Sequence, residues 1–155
     1  MPEGFRGTSP AQALAIDVHN HFYPPSYLEE LKKGGGVAKV TEDGEGNYIL
    51  SYEGDYNVIV PGHRDIGFRL AELDRAGIKA QVLSLTTPGV HVEARDRGIR
   101  LAKMANDDFA EITRGFPGRF YALAALPLQD PEAAARELER AVKELGLKGA
   151  PYSRT

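Results

Sequence analysis

The sequence predicts an α/β fold built on parallel strands, and three observations carry that expectation. Four short apolar runs, at 13–18, 79–85, 120–126 and 147–150, alternate with segments of helical periodicity. Such alternation argues for parallel strands joined by right-handed crossovers. The second run, Lys79-Ala80-Gln81-Val82-Leu83-Ser84-Leu85, is mostly apolar, as a strand covered on both faces must be. The one departure, residues 37–60, is rich in turn residues and reads as a small antiparallel β excursion after strand one. Two architectures satisfy this order: an open doubly wound sheet, or the start of a (β/α) barrel. In both, ligands sit at the carboxyl ends of the strands.

The elements follow in chain order. Residues 1–12 are polar, carry Gly and Pro, and lack the apolar core of a signal peptide; they read as a mobile leader before a domain at 13–155. Strand one, 13–18, runs into His19-Asn20-His21. Pro24-Pro25 breaks the chain, and 26–33 reads as a short helix with Pro25 and Ser26 near its start and Gly34-Gly35-Gly36 at its end. In the excursion, Val37-Ala38-Lys39-Val40 and Tyr48-Ile49-Leu50-Ser51-Tyr52 flank the turn-rich Asp43-Gly44-Glu45-Gly46-Asn47, and a third apolar piece spans 56–60. Asp65 caps the next helix; Ile66, Leu70 and Leu73 share one face, and Gly77 ends it. A long helix at 93–114 carries Leu101, Ala105, Phe109, Ile112 and Phe116 in steps of three or four, with Gly98 weakening its first turns. Asp130 caps a last helix with Pro131 at its first position; Leu138, Ala141, Val142 and Leu145 are its expected buried face.

Composition removes several function classes. The formal charge is −3 and no basic stripe interleaves with aromatics, which argues against a nucleic-acid partner. No apolar run is long enough to span a bilayer, so no membrane role is expected and the chain is assigned to the cytoplasm. With no cysteine, disulfides, thiolate metal sites and a cysteine nucleophile are excluded. Gly34-Gly35-Gly36 follows a helix and lacks the Gly-Lys-Ser/Thr ending of a phosphate loop, and no Gly-x-Ser-x-Gly elbow occurs.

The residues that carry chemistry are His19 and His21. Side chains two apart on a strand point to one side, so both imidazoles leave the carboxyl end of strand one together, as half of a metal site does. Alone, the same spacing also suits a hydrogen-bonded or exposed pair. Asp17, on the opposite side, is either an orienting carboxylate or a capping one. His91, in the loop after strand two, is a candidate to face the site. His63, beside Pro61-Gly62, reads as solvated. Asp107, Asp108 and Glu111 read as a polar helix face rather than an acid/base pair, and Arg114 and Arg119 as structural residues at a helix end.

Ile16-Asp17-Val18-His19-Asn20-His21-Phe22-Tyr23-Pro24 resembles the opening of the amidohydrolase-related metal enzymes. The branch is that of aminocarboxymuconate semialdehyde decarboxylase and the resorcylate-type decarboxylases. Further matching segments are Arg69-Leu70-Ala71-Glu72-Leu73-Asp74-Arg75-Ala76-Gly77-Ile78, Met104-Ala105-Asn106-Asp107, Pro117-Gly118-Arg119-Phe120 and Leu126-Pro127-Leu128-Gln129-Asp130-Pro131. The resemblance implies a (β/α)8 TIM-like barrel around one divalent metal, often zinc, with His19 and His21 as two of its ligands. It further implies a histidine and an aspartate ligand from strands five and eight, and a proton-transferring histidine from strand six. A complete barrel needs about 250 residues, so about four parallel strands correspond to its N-terminal half. The excursion arginine by which the muconate semialdehyde enzymes hold a substrate carboxylate has no counterpart in 56–60, and Arg64 is not at the matching place.

The expected function is that of a metal-dependent lyase, a decarboxylase of an aromatic or muconate-type carboxylic acid, in an incomplete or truncated form. A hydrolase of the same superfamily and a non-catalytic half-barrel that needs a partner chain are the alternatives, with an unrelated open α/β sheet behind them. The expected partners are a small carboxylic-acid substrate and further copies of the chain, because unpaired sheet edges favour a homo-oligomer. Substantial decarboxylation by these 155 residues alone is not expected.

Overall fold

The computed structural model describes residues 15–151. The expected leader at 1–12 and the first residues of strand one lie outside them. Strand β1, Ala15–Asp17, leads to helix α1, Pro25–Lys32, whose first position is the proline the sequence offers. Strands β2, Lys39–Glu42, β3, Tyr48–Tyr52, and β4, Asp55–Ile59, form the antiparallel excursion in the order β2-β3-β4. A 3-10 turn, Pro61–His63, precedes α2, Ile66–Ala76. The Asp65 side chain accepts from Phe68 N at the start of α2, and Gly77 takes the left-handed conformation at its end, φ 68°. Then come β5, Ile78–Leu83, α3, Arg95–Gly115, β6, Phe120–Ala122, and α4, Pro131–Lys143.

The second sheet is parallel, in the order β1-β5-β6. Order in space follows order in the chain. A doubly wound sheet reverses at a switch point, and the described strands show no reversal. The expected fourth strand at 147–150 is not regular. Lys148 N donates to Ala122 O at 2.9 Å and Ala124 N to Gly149 O at 2.7 Å, so a fourth rung begins beside β6. Gly149, at φ 125°, turns the backbone out of the extended form there. Strand three is likewise shorter than expected, stopping at Ala122.

Two apolar cores hold these layers. Tyr27, Leu28 and Leu31 of α1 pack with Val40, Leu50 and Ile59 of the excursion and Leu101 and Ala105 of α3. Leu83, Phe120 and Ala122 of the parallel sheet pack with Leu73 of α2, Phe109 of α3 and Ala141 of α4. Phe22 belongs to the second core and Tyr23 to the first, so consecutive residues just after the histidines anchor both. Of the expected face of α4, Ala141 is buried and Leu145 packs against the second core, but Val142 does not belong to it. Ala133, Ala134, Glu137 and Ala141 are buried, and Val142 is 44% exposed. Small alanines let α4 approach closely, and Glu137 is drawn in by Asn106, whose Nδ2 donates to it at 2.8 Å.

Candidate metal centre

Strand β1 ends at Asp17, and the side chain of Asp17 stops it there. Its Oδ1 accepts from His19 N at 3.0 Å, an Asx-type turn, and its Oδ2 accepts from Gln81 Nε2 at 2.6 Å. Asp17 thus both caps the strand end and ties His19 N to Gln81. Beyond it, His19 and His21 lie on one exposed side of an extended segment, ring centroids 5.4 Å apart and set edge to face at 77°. Asn20 points the other way; its Nδ2 donates to Val82 O at 2.7 Å, and its carbonyl accepts from Ser84 Oγ at 2.8 Å. Phe22 N continues the pairing to Ser84 O at 2.9 Å.

Beneath this segment lies Arg69 of α2, 8% exposed. Its Nη1 donates to Asn20 Oδ1 at 2.7 Å and Gln81 Oε1 at 3.0 Å, and its Nη2 to His21 O at 2.6 Å. The sequence reading missed Arg69, Asn20, Gln81 and Ser84 as site residues. One signal existed: Arg69 falls on the same i, i+3, i+4, i+7 face as Ile66, Leu70 and Leu73, where a charge is out of place.

Both imidazoles line a cavity of about 520 Å³ at the carboxyl ends of β1, β5 and β6. Ser84, Thr86, Thr87 and His91 give it polar edges, and Leu85, Leu123 and Leu126 an apolar wall. His91 therefore faces the site, as its loop position suggested. The 86–91 wall is held from behind by Tyr23 Oη and Asn57 Nδ2, which donate to Thr87 O at 2.8 and 2.9 Å, and by Tyr27 Oη, which donates to Gly89 O at 2.6 Å. Burial pushes the Tyr23 phenol up to about 12, so it remains a donor.

The remaining candidates have other places. His63 is not solvated: it is half-buried, its carbonyl accepts from Tyr23 N at 2.8 Å, and its buried Nδ1 has no partner among the described residues. The 3-10 turn tucks it under the segment after β1. Asp108 accepts from Ser26 N and Ser26 Oγ, both at 2.7 Å, and Asp107 pairs with Arg140. Arg119 donates to Lys79 O and pairs with Asp74, and Arg64 donates to Gly46 O.

The donor pair fits a divalent cation. Burial, then the neighbouring His19, His63 and Arg69, holds the His21 imidazole below its ordinary value of 6.5, which favours the neutral form that binds metal. Two rings bound through nitrogen to one tetrahedral ion at about 2.0–2.1 Å would stand about 5 Å apart, close to the spacing seen. Among the described residues no group of three or more His, Cys, Asp or Glu completes such a site.

The chain is similar to several known proteins. The amidohydrolase family model matches residues 16–153. Gamma-resorcylate decarboxylase of Rhizobium radiobacter is 48% identical over 83 residues, which cover 53% of this chain and 25% of that protein. The 2-amino-3-carboxymuconate-6-semialdehyde decarboxylase of Dictyostelium discoideum is 35% identical over 153 residues, 89% of this chain and 40% of that one. A solved dihydroxybenzoic acid decarboxylase from Polaromonas, with bound manganese and 2-nitroresorcinol, superimposes with a TM-score of 0.64 at 34% identity; the match covers 88% of this chain and 37% of that one. Such neighbours are TIM-barrel decarboxylases. The chain thus spans less than half the length of these relatives.

Proposed function

Because the chain belongs to the amidohydrolase family, we propose that it forms the N-terminal part of a (β/α)8 barrel whose reaction is metal-dependent decarboxylation of an aromatic carboxylic acid. His19 and His21 are two ligands of one divalent ion in this reading. The observation that carries it is the pair of imidazoles at the carboxyl end of the first parallel strand, facing a cavity large enough for a substituted benzoate. Sequential strand order supports the barrel.

When bound, a divalent ion polarises a substrate oxygen. The chain's own residues do the rest. His19 and His21 hold the ion from one side. Leu85, Leu123 and Leu126 pack against an aromatic ring and keep water from it, while Ser84, Thr86 and Thr87 offer hydroxyls to its polar substituents. Zinc is the ion we propose, since imidazoles suit it. Cytoplasmic location is part of the same proposal; among the described residues no helix is long and apolar enough to cross a membrane.

Loss of 2,6-dihydroxybenzoate, followed by absorbance with zinc-loaded full-length protein, tests the reading. Activity that falls about 100-fold or more in His19→Ala supports it. Activity unchanged by that substitution rejects it. Residues 15–151 alone carry two ligands, and we propose that they bind zinc weakly and turn nothing over.

A second reading has one observation behind it. Among the described residues β1 is an unpaired edge of the parallel sheet, with Ile16 55% and Val18 71% exposed. A half-barrel that needs a partner chain would cover that edge, and activity that appears only on mixing with a second polypeptide would select it.

A further inference from the structure

We propose that Arg69 is a positioning residue for the two metal-binding imidazoles; the inference rests on the metal-site reading above. Arg69 lies one turn into α2, yet its guanidinium reaches under the segment that carries both histidines. A guanidinium has five N–H donors, and each is used. Nε donates to Gly62 O at 2.9 Å, Nη1 to Asn20 Oδ1 and Gln81 Oε1, and Nη2 to His21 O and Gly62 O, both at 2.6 Å.

What these bonds enclose is specific. Gln81, the acceptor of one of them, donates its own Nε2 to Asp17 Oδ2, and Asp17 Oδ1 accepts from His19 N. A closed circuit therefore runs from His19 N–H through Asp17, Gln81 and Arg69 to His21 C=O. Both histidine backbones are tied to one buried side chain, and Asn20 between them is tied to it as well. No carboxylate touches the guanidinium directly among these bonds. A buried charge held by neutral acceptors is costly unless every bond is made. An apolar side chain would serve packing better on the Ile66, Leu70, Leu73 face. The residue instead has the fork that two carbonyls and two carboxamide oxygens require, which lysine cannot reproduce. Outer residues of this kind set ligand orientation and change metal affinity about 10- to 100-fold when lost.

Zinc affinity of the full-length protein, measured by calorimetry in Arg69→Lys and Arg69→Gln, tests the role. Leu73→Ala, a buried change on the same helix, is the control for lost stability. The expected result is affinity about 10- to 100-fold weaker in the Arg69 variants. Leu73→Ala should keep affinity within about twofold while melting at least as early. A second readout needs no metal. The imidazole Cε1–Hε1 NMR signals of His19 and His21 should broaden or double in Arg69→Lys, with that of His91 unchanged. If the Arg69 variants do not fold, Asn20→Ala cuts one arm of the circuit and should weaken zinc binding about tenfold.

Wild-type affinity in Arg69→Lys, with binding abolished by His19→Ala, overturns the positioning role and leaves the metal site standing. Equal losses in Leu73→Ala and Arg69→Lys overturn it too, by reducing it to stability. Zinc binding indifferent to His19→Ala removes the metal site and this inference together.

Discussion

Single residues in this chain do work that their type conceals. Gly98 reads as a weak point in a helix, yet it is buried in α3 because Val90 O and the carboxamide of Gln129 occupy the space a side chain would need; an added Cβ would meet Val90 O at 2.7 Å. Gln129 Nε2 in turn donates to Val90 O at 3.1 Å. Gly98→Ala gains helix propensity of about 1 kcal/mol but overpacks at about 1–3 kcal/mol, so urea denaturation should show a net loss of up to about 2 kcal/mol. His21 and His63 carry a pH signature. Burial is the largest cause that holds each below the ordinary 6.5. The unfolded chain takes up their protons near that value and the folded chain resists, so stability is level above it and falls as pH drops through the lowered values. Melting temperature should decline as pH drops below about 6.5, and His63→Gln should flatten that decline. His19 and His21 stood out in the sequence by their strand-end spacing together with the family resemblance, because the spacing alone also suits an exposed pair. Arg69 did not, because a charge on an apolar face is read as a flaw in the pattern until its five hydrogen bonds are seen.

At the scale of elements, local chemistry marks most boundaries. Pro25, Asp65, Gly77 and Asp130 sit where the sequence assigns helix ends, since each acts on its own backbone or on residues at most three away. Helix α1 is the exception. Pro24 gives it no side-chain cap, and the missing acceptor comes from Asp108 on α3. That bond spans 82 residues and leaves no trace in local pattern. Asp108→Ala should cost about 1–2 kcal/mol and speed amide exchange across Pro25–Lys32 before the rest of the protein; uniform exchange would contradict the cross-helix cap. Strand ends were less legible than helix ends. Backbone pairing after β6 stops where Gly149 bends a neighbour, which depends on a partner far along the chain.

At the scale of the molecule, the parallel sheet of the described residues has β1 at an edge, with Ile16 and Val18 exposed. Exposed apolar edges favour association, so light scattering on these 155 residues should find dimers or larger species, and Ile16→Lys with Val18→Lys should shift them toward monomer. A compact wild-type monomer would count against the exposed edge as an association surface. The excursion bears on function in another way. Asn57 belongs to β4, yet with Tyr23 it holds Thr87 in the cavity wall. The pocket therefore has a remote tuning handle. Lengthening the β3–β4 turn or exchanging Asn57 should release Thr87 and reshape the 86–91 wall without exchanging any residue that lines the cavity. The shape of the cavity is thus open to adjustment from an appendage that lines none of it, and directed variation of 52–58 is the economical place to look for such changes.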